Sequence, residues 1–236
     1  MVRAYTLPRR TMPCGDAEEP VLAGSSGAGS KYNLGTAGGG AVRIDATGVV
    51  TVDGTICADA ADATVTSGTY AGCGAGGSIC VFCRTFCGEG GALTANGGSA
   101  NVALQAVNNA SYFAGGGGRI AIHYDAVAQA SADVSGMTFS VAEGWAMKAD
   151  RNRQDTYFGD ADAGTLWFTD DQLPLKSLGS GIWGQLVNTA SELDLDSLSL
   201  TWGRVRFVKP GVRVNVAGDV IVSGATARLE FGGDTP

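Results

Sequence analysis

Hydrophobic and polar positions alternate in short bursts along this chain, and the bursts return. In residues 40–46, GAVRIDA, Val42 and Ile44 alternate with Arg43 and Asp45, the period-two pattern of a half-buried strand. VVTVD (49–53) and TICAD (55–59) follow within a few residues. The stretch 38–59 is then written again over 76–96. With an offset of 37 residues, Gly40 falls on Gly77, Val42 on Ile79, Ile44 on Val81, Gly54 on Gly91 and Ala58 on Ala95. A third opening stands at 115–125 (GGGGRIAIHYD) and a weaker one at 163–171 (AGTLWFTDD). Such short, closely spaced strands do not suit hairpins. They predict coils in which each strand pairs with its equivalent one repeat later.

The second repeat predicts strands at SICVF (78–82), RTFCG (84–88) and ALTAN (92–96). Between coils lie the glycine-rich excursions 67–77 and 97–118, expected as loops thrown out from one corner. Glycine suits such a corner because it accepts positive φ and lets backbones approach closely. Residues 22–40 form a Gly/Ser/Ala tract that reads as a flexible or closely packed loop. Further on, 126–133 carries one or two helical turns and MTFSVAE (137–143) a strand. The polar stretch 144–164 shows no periodicity and reads as a long functional loop. From 193 to 231 alternation is nearly continuous. Leu200 to Val222 spans 22 residues and Val205 to Leu229 spans 24, which predicts tighter coils. The expected organisation is a lead-in over 1–37, coils with long loops over 38–192 and tighter coils over 193–236, continuing in a longer protein.

The run GGGAVRI, GTICADA, GGSICVFCRTFCGEGGALTANGG and GGGGRIAIHYD resembles the glycine-rich β-helical repeat regions of large bacterial surface and secreted proteins. The alternating tail from Leu193 resembles the passenger repeats of autotransporter-type adhesins. The resemblance covers about residues 38–231 and implies an all-β fold, a right-handed parallel β-solenoid with glycine-rich corner loops, at the cell surface or outside the cell. The cysteines at 80, 83 and 87 depart from the pattern of such repeats.

Composition fits many short strands. Of 236 residues, 37 are glycine and 17% are charged, yet 44% are hydrophobic, so the low charge does not signal disorder. The net charge of −7 argues against a nucleic-acid partner and against an anionic membrane surface. No apolar run reaches the length of a membrane span. Arg9 and Arg10 have no apolar stretch behind them, so the first residues are no export signal as they stand. A fragment of a longer secreted protein is the expectation.

Candidate chemistry is thin. Cys80, Cys83 and Cys87 have a spacing that could supply thiolates to zinc or an iron–sulfur cluster. An odd separation along a strand instead turns Cys80 and Cys83 to opposite faces, which favours cysteines as small core residues, or disulfides pinning a loop such as that of Cys73. Residues 24–31 graze a phosphate-loop pattern with the lysine one place late. His123, the lone histidine, reads as a surface residue. Asp155, Asp160 and Asp162, with Asp170 and Asp171 beyond the next strand, could gather calcium or supply acid and base to a polysaccharide-cleaving enzyme. Trp145, Tyr157 and Trp167 are candidate sugar platforms, with Phe168 and Trp183 in the same cluster. Arg204, Arg206, Arg213 and Arg228 are expected outward in successive coils as ligand contacts or as a solubilising exterior. The expected role is structural or adhesive, with a glycan or surface component as partner. A polysaccharide lyase or glycoside hydrolase is the alternative, and a filament subunit associating end to end the next.

Overall fold

The computed structural model describes residues 16–29, 34–65, 72–102, 113–150, 153–158, 161–178 and 181–232. It is almost entirely β, built from short strands in repeated units. The first unit holds β1 (Ala41–Asp45), β2 (Val49–Thr51), β3 (Thr55–Cys57) and β4 (Ala63–Val65). The second holds β5 (Ser78–Phe82), β6 (Thr85–Cys87), β7 (Ala92–Thr94) and β8 (Ala100–Val102). In the third, β9 (Arg119–His123) is followed by a short helix, α1 (Ala126–Gln129), then β10 (Thr138–Ser140) and a hairpin of β11 (Trp145–Asp150) and β12 (Arg153–Phe158). The fourth runs β13 (Thr165–Phe168), α2 (Gln172–Ser177) and β14 (Ile182–Leu186). Two tighter units close the series: β15 (Glu192–Leu195), β16 (Leu198–Leu200) and β17 (Gly203–Phe207), then β18 (Arg213–Val216), β19 (Val220–Val222) and β20 (Arg228–Phe231).

Every strand pairing except the β11–β12 hairpin is parallel. Val42 pairs with Ile79 and Ile44 with Val81, the residues that the 37-residue offset superposes. In the tighter units Leu200 pairs with Val222 and Val205 with Leu229. The main sheet runs β1-β5-β9-β13-β14-β10-β7-β3, so the first and third strands of a unit lie toward opposite ends of one curled sheet. The turn of the curl is β14, whose Ile182 lies beside Phe139 of β10 while its Leu186 lies beside Leu166 of β13. On its other side β14 pairs β17, and β17 pairs β20.

Inside the curl, Ile79, Val81, Phe86, Leu93, Ile120, Ile122, Phe139 and Leu166 are buried. Each such side chain stabilises the stack by about 1.5–3 kcal/mol. The core continues through Ile182, Leu186, Leu198, Leu200, Val205 and Phe207. It opens at the last unit, where Val220, Val222 and Phe231 are exposed.

Where they are described, the glycine-rich segments of 67–77 and 97–118 differ from the expected corner loops, and 22–40 takes the closely packed form of its two expected readings. Stretches within 24–29, 34–40, 72–77, 97–98 and 115–118 run extended and bond to one another through their backbones. Gly24 N–H donates to Gly39 O and Gly27 N–H to Thr36 O; Thr36 N–H donates to Gly72 O and Gly39 N–H to Ala75 O. The donors recur every third residue, the period of a polyproline-II-like chain. Close approach dictates glycine here, not positive φ. A Cβ on Gly77 would fall 1.8 Å from Gly40 O, one on Gly115 1.8 Å from Gly74 O and one on Gly164 1.8 Å from Gly118 O. The positive-φ glycines lie elsewhere, at turns such as Gly90, Gly136 and Gly211.

Two further differences follow from local chemistry. The stretch expected as an aperiodic functional loop contains the β11–β12 hairpin, which meets the stack where Ala146 pairs with Ala100 and Trp145 N–H reaches Ser99 Oγ. The helix α2 begins after Asp171 and stacks on α1: Gln172 donates to Ala126 O, and Lys176 donates to Ala130 O and Ala132 O at the end of α1. Among the described residues no helix is long and apolar enough to cross a membrane.

Candidate functional site

Among the described residues, the acidic candidates are distributed along the chain. Asp160 lies outside the described residues. Asp155 and Tyr157 stand on β12, opposite Lys148 and Ala146 in the hairpin register. Asp162 precedes β13 and is exposed, whereas Asp170 and Asp171 follow the far end of that strand. Asp170 accepts hydrogen bonds from Tyr124 Oη (2.6 Å), Gln172 N (3.0 Å) and Gln172 Nε2 (2.7 Å). Asp171 accepts one from Ala190 N at 2.9 Å, and burial raises its pKa. Burial and the neighbouring carboxylate push the Tyr124 hydroxyl far above its ordinary value. Both aspartates thus tie the β13–α2 corner to its neighbours. Among the described residues no group of three or more His, Cys, Asp or Glu is placed to hold a metal ion.

The five described cysteines are free thiols. Cys73 and Cys80 are buried. Cys80 points away from the core, and Cys83 packs against it. Burial pushes the thiols of Cys80 and Cys83 up to about 11, which makes both poor nucleophiles near neutrality. Residues 16–22 cross the outer face above Cys80. Leu22 O accepts from Ser78 Oγ, Glu18 O lies 2.8 Å from His123 Nε2, and Glu19 stands 3.7 Å from Arg43. His123 is part of a ladder across three units. Its ring stacks on Phe82 at 4.1 Å and on Trp167 at 4.3 Å, and Arg43 lies over Phe82 at 4.5 Å. Trp167 is therefore half-covered by its ladder. Trp145, also half-buried, donates its backbone N–H to Ser99 Oγ.

The arginines converge better than the carboxylates. On β17, Val205 and Phe207 are buried while Arg204 and Arg206 lie on the outer face. Arg204 binds Glu230 through Nε and Nη2, both at 3.0 Å, and Glu143 through Nη1 at 2.8 Å. The other oxygen of Glu143 accepts from Trp183 Nε1 at 3.1 Å. Burial works against the charge on Arg204, yet hydrogen bonds and attraction from Glu230 and Glu143 outweigh it and raise its pKa. This network joins residues from four successive units. Trp183 in turn meets Trp202 edge-on, with ring centroids 5.5 Å apart. Toward the other ends of β14 and β17, Asp162, Ala163, Gly184, Gln185, Arg204 and Arg206 line a shallow dip in the surface. Arg228 stands beside Arg204 in the register and is exposed. Arg213 is further away on β18, exposed, with Glu192 at 3.7 Å.

Sequence reasoning names the arginines but not Glu143, Glu230 or Trp202. Trp202 does leave one trace. The signal that would find it is the glycine at 181, whose place beneath an aromatic ring 21 residues later shows only once β14 and β17 are paired. The chain matches no family model, no curated protein and no solved structure.

Proposed function

We propose that this chain is a segment of a right-handed parallel β-solenoid acting as an extracellular structural or adhesive scaffold, with its outer face contacting glycan. Right-handedness rests on the rule that crossovers between parallel strands of one sheet are right-handed in about 98% of cases. The observation that carries the role is how the carboxylates are used. Asp170 and Asp171 spend their oxygens on Tyr124, Gln172 and Ala190, and Glu143 and Glu230 spend theirs on Arg204 and Trp183. Side chains committed to binding successive units suit a rigid support better than acid–base chemistry, which needs a proton free to move. A cell-surface setting fits the low charge and the repeat pattern.

The test is retention against turnover. The full chain is passed over immobilised acidic and neutral polysaccharides, and the same polymers in solution are assayed for new reducing ends and for unsaturated lyase products. Retention without product is expected. Depolymerisation abolished by replacing Asp170 or Asp171 would replace this reading with the lyase or hydrolase one.

A further inference from the structure

The outer face where β14, β17 and β20 meet carries Trp202 and Arg228, two side chains outside the hydrogen-bond network of Glu143, Trp183, Arg204 and Glu230. We infer that this face binds an acidic saccharide segment, with Trp202 as the stacking platform and Arg228 as the group that receives a carboxylate. The inference rests on the glycan-contacting part of the proposed function and adds the site and the ligand class.

Trp202 is held in place and left open. A Cβ built on Gly181 would come within 3.0 Å of Trp202 Cε3 and 3.1 Å of its Cζ3, so the indole lies on bare backbone. Gly181 also has φ of +136°, a second reason for glycine beneath the ring. Trp183 braces the platform from the side with an interplanar angle of 63°. Trp183 is itself fixed through Glu143 and Arg204, so the two rings are orientated before any ligand arrives. Trp202 nevertheless stays 43% exposed. Its indole N–H donates to nothing among the described residues. A ring with a negative π-face, positioned in advance and carrying a free donor, matches the polarised C–H face and oxygens of a pyranose.

Charge then selects among saccharides. Arg204 is already neutralised by two carboxylates. Arg228, its register partner on β20, makes no ion pair among the described residues and is exposed. Trp202 stands two residues back and one strand across from Arg228. At about 3.3 Å per residue and 4.8 Å between strands, their Cα atoms are about 8 Å apart. That distance suits one sugar ring on the indole with a carboxylate reaching the guanidinium, which takes such a group through two parallel N–H donors. Beyond Arg204, the face continues along the strands past Gln185 and Arg206, with Asp162 at its edge.

Oligogalacturonate and a neutral cello-oligosaccharide are titrated onto the full chain at low and at physiological salt. Calorimetry and tryptophan fluorescence report binding, and circular dichroism verifies that each variant keeps its β structure. The acidic oligomer is expected to bind, more weakly as salt rises. Trp202→Ala is expected to weaken it by at least about tenfold. Arg228→Gln, at an exposed position, should weaken it several-fold at low salt and remove most of the salt dependence. Unchanged affinity in both folded variants overturns the site while the glycan-contacting reading stands. Preference for the neutral oligomer overturns the acidic class. If the chain neither binds the oligomers nor is retained on any immobilised polysaccharide, the parent reading falls and this inference with it.

Discussion

Gln129 closes a column of strands with a side chain, and its replacement offers the sharpest test of how the stack ends its sheets. Strands β2 and β6 pair in parallel, but the third unit puts α1 where the next strand would go. Asp125 starts that helix by accepting from the N–H groups of Val127 and Ala128. The turn then delivers the Gln129 amide to the open edge of β6. Gln129 Oε1 accepts from Phe86 N at 2.9 Å, and its Nε2 donates to Phe86 O at 2.8 Å. Both residues are fully buried, so water is no alternative partner. Gln129→Met keeps the shape of the side chain and removes both bonds. Two buried backbone groups at about 1–3 kcal/mol each, less what an apolar chain regains on burial, leave a loss of about 2–4 kcal/mol. For a chain of this size that lowers the melting temperature by about 4–16 °C. Thermal melts by circular dichroism measure it, with amide exchange at Phe86 as the local readout. Val127→Ala, at a residue 88% exposed on the same helix, is the control and should stay within about 0.5 kcal/mol. A Gln129→Met protein melting within about 1 °C of the parent, with slow exchange retained at Phe86, would refute the account.

Two further outcomes follow from the packing. Gly77→Ala drives a methyl into the Gly40 carbonyl, where the obstacle is backbone that cannot rotate away, whereas a Cβ on Gly40 meets nothing within 4 Å. Gly77→Ala should cost about 3 kcal/mol or more and Gly40→Ala within about 0.5 kcal/mol by urea unfolding; equal effects would sink the packed-layer account. For Tyr124, the raised folded-state pKa means the native state holds its proton beyond the ordinary tyrosine value of about 10. The associated stability is complete below that pH and is lost as pH rises through and above it. Tyr124→Phe should lower stability at neutral pH by about 1.5–3 kcal/mol, for a hydrogen bond to a charged acceptor. It should also flatten the alkaline loss in urea midpoints taken between neutral and strongly alkaline pH; an unchanged slope would show that another group carries it.

What the sequence made legible was register. Identical spacing of Gly40/Gly77, Val42/Ile79 and Ile44/Val81 is a direct record of parallel pairing, because a strand stacked on its equivalent must repeat its inward residues in step. The glycine segments were legible in composition and misleading in conformation. Glycine serves turns and close approach alike, and only the hydrogen bonds of Gly24, Gly27, Thr36 and Gly39 tell the two uses apart. Helix α1 falls within 126–133, where one or two helical turns are expected, whereas the six residues of α2 are too few to show a helical period. The candidate face was least legible. Glu143, Trp183, Arg204 and Glu230 meet across four units, and residues separated by 26 to 61 positions share no local pattern.

That face emerges where the architecture changes. The first pairings join strands 37 residues apart, and the last join strands 21 to 24 apart. The change takes place at β14, which lies beside β10 with its first residues and beside β13 with its last. One five-residue strand thereby continues two columns at once, and units with an extra side become three-strand units. The glycine layer that fills the extra side ends with Gly164, packed on Gly118. Side chains on the outer surface of β14, β17 and β20 are free of the demand for smallness that governs residues 72–77 and 115–118. Trp183, Trp202, Arg204, Arg206 and Arg228 stand on this surface, as Arg43, Phe82, His123 and Trp167 stand on the outer face of the earlier units. A narrowing that simplifies the core therefore also brings aromatic and cationic groups together on the outer face at the transition, where the packed glycine layer has ended.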